Sequence, residues 1–328
     1  MPLDPRSAAW LAMLHRIDAP RLHELPVTLA RRSYYKLMFA YRGEPEVVAS
    51  ADSLLIPRRA FEGDALAACL YRPAGSAPDA ILPVILWLHG GGWTLGDLAG
   101  YDAWCRALTN ASGRAVLALE YRLAPESRFP AGVDDAWFAL RWLAREADSL
   151  RLDPARIAVA GDSAGGTLAA VLALMARDTG GPAIDHQVLI YPASDMTRET
   201  ASAARYGAGH FLERETMAWF ASQYFEREIE KSDWRASPSL ASSHADLPPA
   251  LVINAECDPL ADDGAGYAEQ LRAAGGAVRH LEFAGMVHGF ATMFSLFDET
   301  RRVLDEIALA LSARPVPRGA SRRRKKHD

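Results

Sequence analysis

The sequence has few cysteines, no long hydrophobic run and no cofactor fingerprint, and each absence narrows what the chain can be. Cys69, Cys105 and Cys257 are odd in number and widely scattered, which argues against a disulfide framework or a zinc-binding spacing and fits a reducing, cytoplasmic setting. No stretch approaches the ~20 consecutive apolar residues of a bilayer span. Asp4, Arg6, His15, Arg16 and Asp18 break up the N-terminal stretch, which lacks the pattern of a secretory leader. Neither a dinucleotide-binding glycine pattern nor a phosphate-loop lysine occurs, so no organic cofactor and no metal is expected. A basic body is missing too. The chain carries a formal charge of −5, yet Arg314 to Asp328 hold seven Lys/Arg against one Asp, so the remainder is strongly acidic and offers no nucleic-acid footprint.

What is present is enough apolar material for a sizeable core, with half the residues hydrophobic and 23 % charged. Short apolar runs at Leu66–Tyr71, Leu82–Leu88, Ala115–Tyr121, Ile157–Ala160, Gln187–Tyr191, Ala250–Ala255 and Val278–Phe283 alternate with amphipathic stretches at Tyr101–Ala111, Gly132–Glu146, Gly165–Arg177, Asp263–Ala274 and Glu299–Leu311. That alternation predicts an α/β fold with a mostly parallel sheet covered by helices on both faces. Two stretches break it. Residues 1–48 look helical, with no strand of their own. Residues 195–240 insert a helix on which Met217, Phe220 and Tyr224 share a face. Both are read as parts of one helical cap, leaving 49–194 and 241–312 as the two parts of the core. Residues 313–328, with Pro315, Pro317 and five consecutive basic residues from Arg322 to Lys326, read as a solvated, disordered tail.

Gly161-Asp162-Ser163-Ala164-Gly165 directly follows one buried run and directly precedes a helix-like stretch, which is the context of a nucleophile elbow. So tight a turn leaves no room for side chains at Gly161 and Gly165. It lifts the Ser163 hydroxyl above the sheet and turns the Ala164 amide toward developing negative charge. His89-Gly90-Gly91-Gly92-Trp93 follows another buried run, where consecutive glycines can present backbone N–H groups to a substrate oxygen; His89 is expected to fix this loop. An acid and a histidine should follow in chain order. Asp258 lies just past the run ending at Ala255. His288 lies beyond the run ending at Phe283, flanked by Gly285 and Gly289, whereas His280 sits inside that run, where a structural role is the expectation.

These segments, with Tyr121-Arg122-Leu123-Ala124-Pro125-Glu126, Phe129-Pro130-Ala131, Asp134-Asp135, Asp258-Pro259-Leu260 and His288-Gly289-Phe290, resemble the hormone-sensitive-lipase-like esterases (bacterial family IV), in the branch whose elbow reads G-D-S-A-G-G. The likeness spans residues 1–312. It implies an α/β-hydrolase fold with an eight-stranded sheet and a helical cap. Ser163 falls on the family's nucleophile, Asp258 on its acid, His288 on its base, and Gly91, Gly92 and Ala164 on its oxyanion donors. One departure is Ala261, where the family often carries arginine. The implied activity is hydrolysis of small carboxylic esters through an acyl-enzyme, with short to medium acyl chains preferred. An amidase, a carbohydrate deacetylase or a non-catalytic small-molecule receptor are the alternatives on this scaffold, and nothing in the sequence excludes a homodimer.

Overall fold

Three of the sequence-selected residues sit at equivalent places, each directly after the last residue of a parallel strand. β5 (Leu152–Asp162) is followed by Ser163, β7 (Ala250–Cys257) by Asp258 and β8 (Val278–Val287) by His288. The structure, a computed structural model, describes residues 3–17, 19–58 and 64–312. The expected basic tail at 313–328 lies outside the described residues.

The other strands are β1 (Ser50–Ile56), β2 (Leu66–Arg72), β3 (Leu82–Leu88), β4 (Ala115–Leu119) and β6 (His186–Ile190). They form one eight-stranded sheet in the order β1-β2-β4-β3-β5-β6-β7-β8. Only the β1–β2 and β2–β4 pairs are antiparallel; from β4 to β8 every pair is parallel. Parallel strands covered on both sides are apolar along their whole length, and β3 divides accordingly. Val84, Leu86 and Leu88 pack into one core with helices α4 (Ala131–Glu146) and α5 (Ala164–Thr179), while Ile85 and Trp87 pack into a second with α3 (Leu98–Ser112) and α9 (Glu299–Ser312).

Two elements differ from the sequence reading. β1 gives no strand pattern in the sequence, because it is an edge strand paired on one side only and most of its residues are exposed. β8 runs four residues past Phe283, so Gly285 lies inside the strand and not in a loop. The register against β7 shifts between Ala255 and Cys257, and the Gly285 amide donates to the Glu256 carboxylate.

The N-terminal segment folds as α1 (Pro5–Ile17) and α2 (Val27–Tyr41), and the interruption after β6 holds α6 (Ala201–Tyr206) and α7 (Arg214–Tyr224). α1 is fastened at its start, where the Asp4 amide donates to the Gly285 carbonyl and Arg6 reaches Asp298 and Glu299. Buried Trp10 packs against the rings of Tyr41, Phe211 and Phe297. α2 is held by Arg31, which pairs with Glu126 and donates to the carbonyls of Thr94 and Ala124. α8 (Ala261–Ala273) follows Asp258. Its buried Asp263 accepts from the Ser194 and Asp195 amides, which ties the start of this helix to the loop after β6.

Candidate active site

Ser163 has φ 52° and ψ −121°, a left-handed conformation that a non-glycine residue adopts only when its surroundings impose it. The crowding that imposes it is concrete. A Cβ on Gly165 would lie 1.9 Å from the Leu88 carbonyl oxygen, and one on Gly161 would lie 2.4 Å from the Gly165 backbone. The turn therefore presses directly on the end of β3. From it the serine hydroxyl stands at 2.9 Å from His288 Nε2, and His288 Nδ1 lies 2.7 Å from Asp258 Oδ2. Asp258 is fully buried, and its other oxygen accepts from the Leu260 amide at 2.8 Å. The Nδ1 contact to a carboxylate makes Nδ1 the protonated nitrogen in neutral His288 and leaves Nε2 as the acceptor facing the serine.

Gly91, Gly92 and Ala164 border the same cavity as Ser163 and His288. The Gly91 and Gly92 amides donate to no described residue, which leaves them free for a substrate oxygen. Glycine is required at position 92, where φ is +58° and a Cβ would fall 2.3 Å from the Phe220 ring of α7. Trp93 stacks on Tyr224 of the same helix at 4.5 Å, so α7 rests directly on this loop. His89 is buried, stacked on Tyr121 and bonded through Nδ1 to the Gly90 carbonyl. Burial pushes its pKa down to about 4. It is therefore neutral near pH 7, in a fixed tautomer, and braces the loop. His280 lies mid-strand in β8 and does not border the cavity.

The sequence singled out Asp162 without a role and gave no site role to Tyr34 or Tyr101. Asp162 accepts from the Gly90 amide at 2.8 Å and from the Tyr101 hydroxyl at 2.9 Å. Tyr101 lies 3.3 Å from Tyr34 of α2, hydroxyl to hydroxyl. One buried network thus joins the elbow, the glycine loop and the N-terminal helices. Tyr101 and Tyr34 read in the sequence as ordinary apolar-face residues, and no local signal marks them.

Burial raises the Asp162 pKa from the ordinary carboxylate value to about 6, against hydrogen bonds from Tyr101 and Gly90 that pull it down. Because the folded value exceeds the unfolded one, the folded state binds the extra proton between roughly pH 4 and 6. Stability tied to this group is present at low pH and declines as pH rises through 6, by about 3 kcal/mol at ~1.4 kcal/mol per unit. Asp162→Asn removes that dependence. Its unfolding free energy relative to wild type should therefore rise by up to about 3 kcal/mol between pH 4 and pH 7.5. Urea titrations at the two pH values measure it, and a pH-independent difference would contradict the assignment.

The cavity above Ser163 has a volume of about 970 Å³ and is bordered by α1, α2, the segment around Phe211 and α7. Phe211, Met217 and Phe220 border it; Trp219 does not, and packs beside Phe220 instead. Among the described residues no cluster of side chains suits a metal ion, and no helix is long and apolar enough to cross a membrane. Cys69, Cys105 and Cys257 are all unpaired.

Residues 85–292 match the alpha/beta hydrolase fold family. Over 95 % of this chain and 99 % of the relative, the sequence is 37 % identical to an ethyl acetate hydrolase of Pseudomonas putida. It is 39 % identical to the carboxylic ester hydrolase LipN of Mycobacterium tuberculosis over 87 % of this chain and 76 % of that one. The solved structure of a hyperthermophilic esterase from the archaeon Pyrobaculum calidifontis superposes with a TM-score of 0.88 at 39 % identity, covering 95 % of this chain and 98 % of the other. The chain belongs to the hormone-sensitive-lipase-like family of α/β-hydrolase esterases. It is a serine carboxylesterase. In this esterase Ala261, at the departure from the family pattern, opens α8, and its carbonyl accepts from the Asn254 side chain.

Proposed function

We propose that the esterase works through Ser163, His288 and Asp258 and acts on small esters with short to medium acyl chains, as a member of the G-D-S-A-G branch. The observation that carries the reading is the single hydrogen-bonded line from the Ser163 hydroxyl through His288 to buried Asp258. Neutral serine is a poor nucleophile. His288 Nε2 takes its proton as Oγ attacks the ester carbonyl, and Asp258 holds the ring in the right tautomer and stabilises the imidazolium. The amides of Gly91, Gly92 and Ala164 receive the oxyanion, each worth roughly 3 kcal/mol of barrier. His288 then gives its proton to the departing alcohol, leaving an acyl-enzyme. Water, deprotonated in turn by His288, attacks that ester and releases the acid and Ser163.

Residues 1–48 and 195–240 serve in this reading as a cap over the core formed by 49–194 and 241–312. With Phe211 and Phe220 narrowing the cavity, each methylene of the acyl chain adds about 0.8 kcal/mol of burial until the space is full. Specific activity should therefore peak at acyl chains of roughly four to eight carbons and fall on long-chain emulsions. A p-nitrophenyl ester series from acetate to palmitate tests this, with the matching anilide to test for amide cleavage. Faster turnover of long-chain emulsions would overturn the proposed preference, and faster turnover of the anilide would overturn the assignment to esters.

A further inference from the structure

Two exposed cations bordering the cavity have no ion-pair partner among the described residues. α1 and α2, which border it, contain no aspartate or glutamate, although the chain carries 41 acidic residues in 328. Three other basic groups of this wall are neutralised from outside it, while Arg16 at the end of α1 pairs with no described residue and does not border the cavity. Arg6 pairs with Asp298 and Glu299, Arg31 with Glu126, and Arg21, in the connection between the helices, with Glu213. Arg32 and Lys36 are different: both are exposed, both border the cavity, and neither forms an ion pair or side-chain hydrogen bond with any described residue. Four positions apart on one helix, they share a face, where like charges repel. A face that is merely solvated usually mixes both signs. The carboxylates bordering the cavity form no ion pair with them: Asp162 accepts from Gly90 and Tyr101, and Glu213 pairs with Arg21.

We propose that Arg32 and Lys36 form a subsite for an anionic group, so that the preferred esters carry a negative charge several bonds from the scissile carbonyl. The proposal rests on the reading of Ser163 as nucleophile. Both cations stay in contact with water, so the anion binds part-hydrated and the preference is modest and sensitive to salt, about threefold per cation.

The test compares kcat/KM for matched charged and neutral esters in two arms. The first uses the p-nitrophenyl monoester of adipic acid against p-nitrophenyl hexanoate, with the charge on the acyl side. The second uses the butyrate ester of 4-hydroxybutanoate against butyl butyrate, with the charge on the alcohol side. Arg32→Gln combined with Lys36→Gln should lower the charged-to-neutral ratio about tenfold in at least one arm. About 0.5 M NaCl should lower the wild-type ratio in the same direction. Arg141→Gln, on α4 and away from the cavity lining, should leave the ratio unchanged. An unchanged ratio in both arms for the double variant, with neutral esters still hydrolysed by the wild type, overturns the subsite alone. Failure of the wild type to hydrolyse the neutral esters would overturn the reading of Ser163 and the subsite with it.

Discussion

Ser163→Ala is expected to lower kcat for a soluble ester by about 10⁵-fold or more while leaving the melting temperature close to wild type. The size follows from how such residues act: loss of the nucleophile alone forfeits nearly everything the set supplies, and only oxyanion stabilisation and binding remain. The fold should survive because the elbow is imposed by backbone packing against β3 and not by the serine side chain. Alanine is no larger than serine and adopts the same φ of 52° at similar cost. The hydroxyl's one side-chain bond, to His288, is catalytic in this account. Turnover assays on purified protein, paired with thermal unfolding, check both halves. His280→Ala, made beside it, should leave turnover nearly intact, since that ring is half-buried in β8 away from the cavity.

The second large effect is on stability. Gly165→Ala places a methyl group 1.9 Å from the Leu88 carbonyl oxygen and 2.7 Å from that of His89. Both are main-chain atoms at the end of a strand buried between two others, so nothing nearby can turn aside. Overpacking of a well-filled core typically costs 1–3 kcal/mol, and a backbone clash this close belongs at or above the upper end, about 3 kcal/mol or more. For a chain of this size that is a fall of roughly 4 °C or more in melting temperature. Gly266→Ala is the contrasting substitution. It lies inside α8, where an added Cβ meets nothing nearer than the Arg198 guanidinium at 3.7 Å. Replacing a helical glycine there should stabilise the protein by about 0.5–1 kcal/mol. Equal melting temperatures for the two variants would show that the elbow is not packed as described.

The core was legible in the sequence because its strands are covered on both faces and so appear as unbroken apolar runs between amphipathic stretches. β1 was not, since an exposed edge strand has no reason to alternate. The end of β8 was placed too early because Gly285 resembles a loop residue, while in the folded chain its amide is taken up by Glu256. Within the site, Ser163, Asp258 and His288 could be chosen because the fold fixes their order and each follows a strand. The network of Asp162, Tyr101 and Tyr34 joins residues 61 and 67 positions apart, and such long-range pairing leaves no local periodicity to read. The same holds for Arg31 holding α2 to Glu126 across 95 positions. The aromatic lining of the cavity was only partly readable: α7 was evident as a helix, but which of Trp219 and Phe220 faces inward depends on how that helix rests on Gly92 and Trp93.

The claim on which the rest depends is that Ser163 becomes covalently bonded to the substrate's carbonyl carbon. Treating the enzyme with an alkyl p-nitrophenyl phosphonate, which mimics the tetrahedral intermediate and cannot be released as an acid, tests it most directly. One equivalent of p-nitrophenol should be released as activity is lost, with a phosphonyl mass increase confined to the peptide that carries Ser163. Inactivation with the phosphonyl group on any other residue, or with no covalent change at Ser163, would contradict it.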